Sequence, residues 1–262
     1  MQQNISAMLF LSILPIILIL VIIYHKDKKR EPLPLLLVLF CLGILSCFLV
    51  LKVSDLSKLI FPFMNMSTKE MDLLSIVLYS FIGVALIEEA CKWVMVYIVG
   101  YHNKEFEEVY DMIVYAVFVA LGFAFYENIA YVFYLGNVKT AFLRAISAVP
   151  GHACYAISMG YYLSMAKQFH FKKRKDLERN NMMLSILIPT VLHGIYDFCL
   201  MLGYKEFIYI FIIFVIYLFF TTIKKVKEIS ATSEKLQKNK DFCPKCGHKM
   251  EKGICSNCGT SS

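Results

Sequence analysis

Long apolar runs recur along the chain, and they limit the folds open to it more than any other feature. Seven runs are each about long enough to cross a bilayer core, which takes about 20 helical residues. They are roughly Met8 to Tyr24, Leu33 to Leu51, Leu73 to Val99, Val109 to Leu135, Ile146 to Ala166, Met182 to Tyr204 and Phe207 to Ile223. With 58% hydrophobic and 18% charged residues, the composition excludes an ordinary soluble domain. We therefore predict an all-α polytopic membrane protein with about seven transmembrane helices in one bundle, of which the third and fourth are long enough to tilt or break.

Basic residues are distributed unevenly over the loops between these runs. No basic residue precedes the first run, and a basic segment at 26–30 follows it, which is the reverse of a signal peptide. With the N-terminus outside, most lysines and arginines fall in the inner segments 25–32, 100–108, 167–180 and 224–262. Since these residues concentrate on the cytoplasmic side, we expect an outer N-terminus and a cytoplasmic C-terminus in the cell membrane. The net charge of +7 then reflects topology, and nucleic-acid binding is not expected.

Four of the nine cysteines lie in a polar C-terminal segment and form two Cys-x-x-Cys pairs. Cys243, Cys246, Cys255 and Cys258 have the spacing of a short zinc ribbon that holds one structural zinc ion. A disulfide-linked loop is the alternative, but the expected cytoplasmic location disfavours disulfides. A closed four-cysteine site leaves no open position for chemistry, so we expect the ribbon to bind a cytoplasmic partner. The predicted units are a membrane bundle at 1–223, a basic linker at 224–241 and the zinc ribbon at 242–262.

Three ionisable residues lie in the middle of the third apolar run. Glu88, Glu89 and Lys92 have about a dozen apolar residues on each side. A charged side chain at the bilayer centre costs at least ~2.5 kcal/mol, so such a group needs partners or a water-filled cavity. Glu88 and Lys92 are four residues apart and can pair on one helix face. This pairing would leave Glu89 unmatched.

The fourth run contains Glu127 and Asn128. Small residues recur before them at Ala116, Ala120 and Ala124, beside Gly122, and they predict a face that another helix can approach closely. Glu127 falls on nearly this face and should point into the bundle. A buried hydrogen-bond centre formed by Glu127 with Asn128 is the structural alternative to a catalytic role.

The fifth and sixth runs each contain a histidine next to residues that could position it. Pro150 and Gly151 precede His152 and are expected to loosen the helix there, whereas His193 and Asp197 are one turn apart. An aspartate at this spacing can accept a ring N–H and orient the histidine. Each pair alone is more often structural, but four spans that all contribute ionisable residues indicate a functional site. The rise per helical residue places this site between the midplane of the bilayer and its outer face.

Such a set of residues could hydrolyse a peptide bond, with a glutamate as the general base on water and a histidine stabilising the oxyanion. Two histidines and a carboxylate could also hold a catalytic metal, although no His-Glu-x-x-His motif is present. A proton-coupled transporter or sensor is the main non-enzymatic alternative, because buried Glu, His and Lys also form proton relays. A third alternative is a scaffold that acts through the zinc ribbon.

Four ordered motifs resemble those of the PrsW intramembrane proteases, which are distant relatives of the CAAX-processing and bacteriocin-immunity membrane proteases. The motifs extend over about residues 75 to 200, and in this chain they read EEACK from Glu88, GFAFYEN ending at Asn128, PGH ending at His152, and HGIYD from His193. The resemblance implies site-one cleavage of a single-pass anti-sigma factor on its outer side. It also implies that Glu88 and Glu89 form the catalytic pair and that His152 and His193 assist.

The combined expectation assigns catalysis to Glu88, Glu89, Glu127, His152 and His193, with Lys92, Asn128 and Asp197 in support. Two departures from the family pattern stand out. Met112 follows Asp111 where the family is expected to have glycine, and Ala116 lies at a second position where glycine is common. We expect these changes to narrow the cavity or to shift the choice of substrate.

Overall fold

The computed structural model is almost entirely helical. It describes residues 5–67, 70–103, 106, 108–135, 137–203, 205–238, 248, 250–251, 254–255, 257–258 and 260. The helices are α1 (Ile5–Lys26), α2 (Leu33–Ile60), α3 (Leu73–Leu78), α4 (Ile87–Met95), α5 (Val109–Leu135), α6 (Val138–Ile146), α7 (Ala148–Phe171), α8 (Lys175–Leu202) and α9 (Lys205–Lys238). A short 3-10 helix covers Pro62–Asn65, and π-helical segments cover Tyr79–Leu86 and Val96–Tyr101. The fold class predicted from the sequence is confirmed.

Within these described residues, six helices are long and apolar enough to cross a membrane. They are Ile5–Lys26, Leu33–Ile60, Leu73–Tyr101, Val109–Tyr134, Lys175–Leu202 and Tyr209–Ser230, and they correspond to six of the seven predicted spans. The remaining run, the fifth, forms α7, which is not among the six. Helices α5 and α8 pack along α7 and bury most of its residues. Because protein and not lipid surrounds it, α7 tolerates polar and small side chains that a lipid-facing helix would not.

The third span is one continuous helix from Leu73 to Tyr101 in which α-helical and π-helical segments alternate. The wider π turns enclose α4 on both sides, and π turns inside α-helices are frequent at functional sites. The span that was expected to tilt or break is thus unbroken, and the irregularity that it shows is its π turns. The fourth run differs, because α5 is an unbroken α-helix over its 27 residues.

The core of the bundle surrounds α5, which is the most deeply buried of the six spans. Helix α2 crosses α5 at two glycines: a Cβ added to Gly43 would lie 2.0 Å from the Val119 carbonyl oxygen, and one added to Gly122 would lie 2.0 Å from the Phe40 carbonyl oxygen. The two backbones are therefore in direct contact. The close helix approach predicted from the small residues of α5 is confirmed.

The fifth run is interrupted at Ser147, between α6 and α7. The sequence placed the irregularity at Pro150 and Gly151, and this prediction is wrong because α7 continues regularly through both residues. Pro150 lies in the first turn of α7, where a backbone N–H has no partner within the helix and proline is tolerated. The interruption places the first turn of α7 beside the charged groups described below.

The C-terminal part differs from the bundle. Helix α9 continues to Lys238, so most of the predicted linker is helical. Beyond it, β1 (Met250–Glu251) and β2 (Ile254–Cys255) form an antiparallel hairpin, and Cys255 packs against Met250 and Cys258. Cys243 and Cys246 lie outside the described residues. The zinc ribbon and the three domain boundaries therefore stay predictions.

Candidate active site

Helix α4 presents Glu88, Glu89 and Lys92 to the interior of the bundle, and all three are buried. The Lys92 Nζ donates to Glu89 Oε1 at 2.8 Å and to Glu88 Oε2 at 3.3 Å. The predicted Glu88–Lys92 pair is thus confirmed. The expectation that Glu89 is unmatched is wrong, because Lys92 reaches both carboxylates from the same face of the helix.

Helix α8 brings His193 to this carboxylate pair. The Nδ1 of His193 is 2.9 Å from Glu89 Oε1, and a carboxylate can only accept in such a bond. On the opposite side of the ring, Nε2 lies 3.4 Å from Asp197 Oδ2 and 3.9 Å from Glu88 Oε2. His193 therefore lies between three carboxylates, and the expected proximity of Asp197 is confirmed.

Helix α7 brings His152 to the same group from its first two turns. Its Nδ1 is 3.3 Å from Lys92 Nζ and its Nε2 is 2.9 Å from Glu127 Oε2 on α5. An ammonium group has no acceptor atom, so Nδ1 accepts and Nε2 carries the proton that it donates to Glu127. Each histidine is thus held by a carboxylate behind it, the arrangement that orients metal-binding histidines.

Arg144, at the end of α6, is a part of the site that the sequence did not predict. Its guanidinium lies 2.7 Å from Glu127 Oε2, and its Nε donates to Asn128 Oδ1 at 2.8 Å. The amide of Asn128 also donates to the Ser12 carbonyl at 3.4 Å. Glu127 and Asn128 are therefore linked through Arg144, which lies in the gap between the fourth and fifth apolar runs of the sequence.

A cavity of about 520 Å³ opens beside these groups. Its lining includes Glu88, Glu127, Arg144, His152, Tyr155, His193, Tyr196 and Asp197. Glu89, Lys92 and Asn128 are not among the lining residues and lie behind the cavity wall. Met112 and Ala116 are buried in the core and also do not line it, so the expectation that they narrow the cavity is not met.

The charges around the cavity are unbalanced. Four carboxylates, those of Glu88, Glu89, Glu127 and Asp197, face two permanent cations, Lys92 and Arg144. Unpaired charges are costly in a low-dielectric interior. The site therefore favours additional positive charge, which either a protonated histidine or a bound metal ion would supply.

The donor atoms could hold a metal ion if Lys92 Nζ, which contacts Glu88, Glu89 and His152, moved aside. Glu88, Glu89, His152 and His193 each offer one ligand atom, and these four atoms lie within 4.8 Å of one another. Imidazole nitrogen and carboxylate oxygen are ligands of catalytic zinc and of related divalent metals. Glu127 beside His152 and Asp197 beside His193 lie outside this ligand set and supply the outer hydrogen bonds that such ligands usually have.

Comparison with known proteins agrees with this chemistry. A sequence profile described as PrsW family intramembrane metalloprotease matches residues 31–222, which contain every residue that lines the cavity. The chain belongs to the PrsW family. The protein named Protease PrsW from Oceanobacillus iheyensis is 40% identical over 196 residues, which are 75% of this chain and 83% of the relative. No solved structure matches the chain significantly.

Two further relatives with the same name support the assignment. Protease PrsW of Clostridioides difficile is 31% identical over 230 residues, covering 86% of this chain and 92% of the relative. That of Bacillus subtilis is 34% identical over 195 residues, covering 74% and 83% respectively. As a member of the PrsW family, this multi-pass membrane protein is an intramembrane endopeptidase that acts on membrane substrates in the lipid bilayer. The family is of the metalloprotease type.

Proposed function

We propose that the cavity between α4, α5, α7 and α8 hydrolyses a peptide bond of a single-pass membrane protein, with Glu88 as the general base. The observation that supports this assignment most strongly is that Glu88 and both histidines border the cavity while their donor atoms converge within 4.8 Å. Glu88 is the member of the glutamate pair that reaches the cavity. It can therefore take a proton from a water molecule placed there.

The other charged groups prepare this step without touching the water. Glu89 holds His193 and Lys92, and Glu127 holds His152. These bonds keep the rings in one orientation, which matters because a small misplacement of reacting groups slows a reaction strongly. The positive charge of Lys92 compensates the two glutamates, and that of Arg144 compensates Glu127. Asn128 orients Arg144, and Asp197 supports His193.

A metal ion suits the same residues. His152, His193 and Glu89 would hold it, which leaves Glu88 at the cavity surface for proton transfer. A bound divalent ion would polarise the substrate carbonyl group and lower the pKa of a water molecule. We assign this role to the buried cluster, and we assign only a structural zinc to the predicted cysteine ribbon.

The substrate that we propose is an anti-sigma factor with one transmembrane segment, cut on its outer side. This proposal follows from the family resemblance and from the expected topology, in which the N-terminus is outside and α6 with α7 provides the fifth crossing. In that orientation the cavity faces the outer half of the bilayer, because it lies near the end of α5 and α8 that is remote from the basic loops. Cleavage there would start the release of a sigma factor inside the cell.

Mapping of membrane-protein fragments by mass spectrometry tests the function. Cells that carry the wild-type chain would be compared with cells that carry Glu88→Gln, Glu89→Gln or His193→Ala. Glu70→Gln is a matched control, since Glu70 is an exposed carboxylate outside the bundle interior. We expect a fragment that is present with wild type and with the control and absent with the three site variants. An identical fragment pattern in all five strains would reject the proposed chemistry, and the identity of the fragment tests the anti-sigma assignment.

A further inference from the structure

The hydroxyl group of Tyr155 is buried and has no hydrogen-bond partner among the described residues. The whole side chain is only 2% exposed. The buried Tyr101 hydroxyl also has no partner among the described residues, whereas Tyr110 donates to the Ile23 carbonyl at 3.2 Å and the hydroxyls of Tyr196 and Ser147 lie 2.9 Å apart. A buried hydroxyl without a partner costs about 1–3 kcal/mol, so its presence calls for an explanation.

The Tyr155 ring contacts both histidines of the proposed active site. It stacks on the His193 ring, with centroids 5.0 Å apart and planes at 16°, and its centroid is 6.0 Å from that of His152. It also lines the cavity that Glu88 borders. The Tyr155 side chain is therefore part of the wall of the space in which the scissile peptide bond would be held, and its hydroxyl has no competing partner among the described residues.

Gly151 leaves room for this hydroxyl. It lies one turn before Tyr155 on α7, and a Cβ added to it would approach the Tyr155 hydroxyl oxygen at 3.2 Å. That contact is shorter than an ordinary van der Waals distance. A methyl group at position 151 would therefore push the hydroxyl by a few tenths of an ångström.

We propose that Tyr155 is a further catalytic residue, whose hydroxyl donates a hydrogen bond to the carbonyl oxygen of the scissile peptide bond. This inference rests on the proposed function. As the water oxygen bonds to the carbonyl carbon and Glu88 takes the proton, the π electron pair moves to the carbonyl oxygen. Tyr155 keeps its own proton and stabilises that negative oxygen through the hydrogen bond. When the carbon–nitrogen bond breaks, the pair returns and the departing amine takes the proton from Glu88.

The neighbouring groups make tyrosine the suitable donor. Glu88, Glu127 and Asp197 are carboxylates, which as anions can only accept hydrogen bonds. Arg144 is already bound to Glu127 and to Asn128. Preorganised donors aimed at a developing oxyanion are among the largest contributions to catalysis, and loss of one costs about 10²–10³ in kcat.

Tyr155→Phe tests the proposal, because it removes the hydroxyl and keeps the ring stacked on His193. The assay would use the purified full-length chain with its metal in proteoliposomes. The probe is a fluorescein-labelled single-pass peptide that contains the cleavage sequence found by fragment mapping. We expect kcat to fall about 10²–10³-fold with KM changed little. Because the hydroxyl is unpaired in the free protein, Tyr155→Phe should be at least as stable as wild type. A loss of activity would then not be accompanied by a loss of stability.

Two further variants separate catalysis from packing. Tyr110→Phe removes a buried hydroxyl that lies on α5 away from the cavity, and it should leave kcat unchanged. Gly151→Ala should lower kcat in the wild-type background and have little effect in the Tyr155→Phe background, because the hydroxyl that it displaces is then gone. Tyr155→Phe with wild-type kcat, or with a loss confined to KM, would overturn the proposal while cleavage by wild type upholds the proposed function. No cleavage by wild type would reject both.

Discussion

Lys92 holds two buried carboxylates at once, and its replacement by methionine should destabilise the bundle strongly. The change keeps an unbranched side chain of similar length but removes the ammonium that lies 2.8 Å from Glu89 and 3.3 Å from Glu88. Removing one partner of a buried ion pair costs about 3–5 kcal/mol, because the other charge remains buried and uncompensated. Two carboxylates are left here, so we expect a loss at the upper end of that range.

Neutralising the partner should restore part of this loss. Lys92→Met/Glu89→Gln should be more stable than Lys92→Met alone, by about 0.5–3 kcal/mol. Lys92→Met/Glu88→Gln should recover less, since the Glu88 bond is longer and Glu88 borders the cavity. Trp93, the single tryptophan, reports unfolding because its Nε1 donates to Ser185 Oγ on α8 at 2.8 Å. Its fluorescence during denaturation in mixed micelles gives the free energies. A Lys92→Met protein within about 0.5 kcal/mol of wild type would refute the reasoning, since a structural pair of this kind cannot be removed at so small a cost.

Three other perturbations have defined outcomes. Gly43→Ala should destabilise the bundle by about 1–3 kcal/mol or more, because the new Cβ meets the Val119 carbonyl; unfolding followed by Trp93 fluorescence checks this, and wild-type stability would contradict it. A strong chelator should abolish peptide cleavage by the purified protein, and added divalent metal should restore it, whereas full activity in the chelator would exclude a required metal. Burial raises the pKa of Asp27, in the loop after α1, to about 6. The folded state therefore holds this proton more tightly, so stability should fall as pH rises from about 4 to about 6 and Asp27→Asn should reduce that dependence; an unchanged pH profile in Asp27→Asn would show that Asp27 does not contribute.

Much of the fold and part of the site follow from local sequence patterns. The spans follow from apolar length, and the contact between α2 and α5 follows from the small residues of α5. The Glu88–Lys92 pair follows from their separation of four residues on one helix. Such features depend on helix geometry alone, which the sequence specifies directly.

Contacts between residues that are far apart in the sequence could not be predicted from local sequence patterns. The bond between His193 and Glu89 joins residues 104 positions apart, and no spacing rule predicts it. Arg144 lies in the gap between the fourth and fifth apolar runs and therefore has the appearance of a loop residue. Tyr155 has the appearance of one more buried aromatic residue, and only its unpaired hydroxyl beside His193 distinguishes it. The polar and small side chains of α7 likewise depend on its burial between α5 and α8, which the sequence does not show directly.

The central claim is that Glu88 at the cavity surface activates water for peptide-bond hydrolysis. Cleavage of the labelled single-pass peptide by purified wild-type protein and by purified Glu88→Gln protein, both confirmed as folded by Trp93 fluorescence, tests it most directly. The account predicts a product with wild type and, with Glu88→Gln, a rate lower by at least the 10²–10⁴-fold that a general base contributes. Equal rates of cleavage by the two proteins would contradict it.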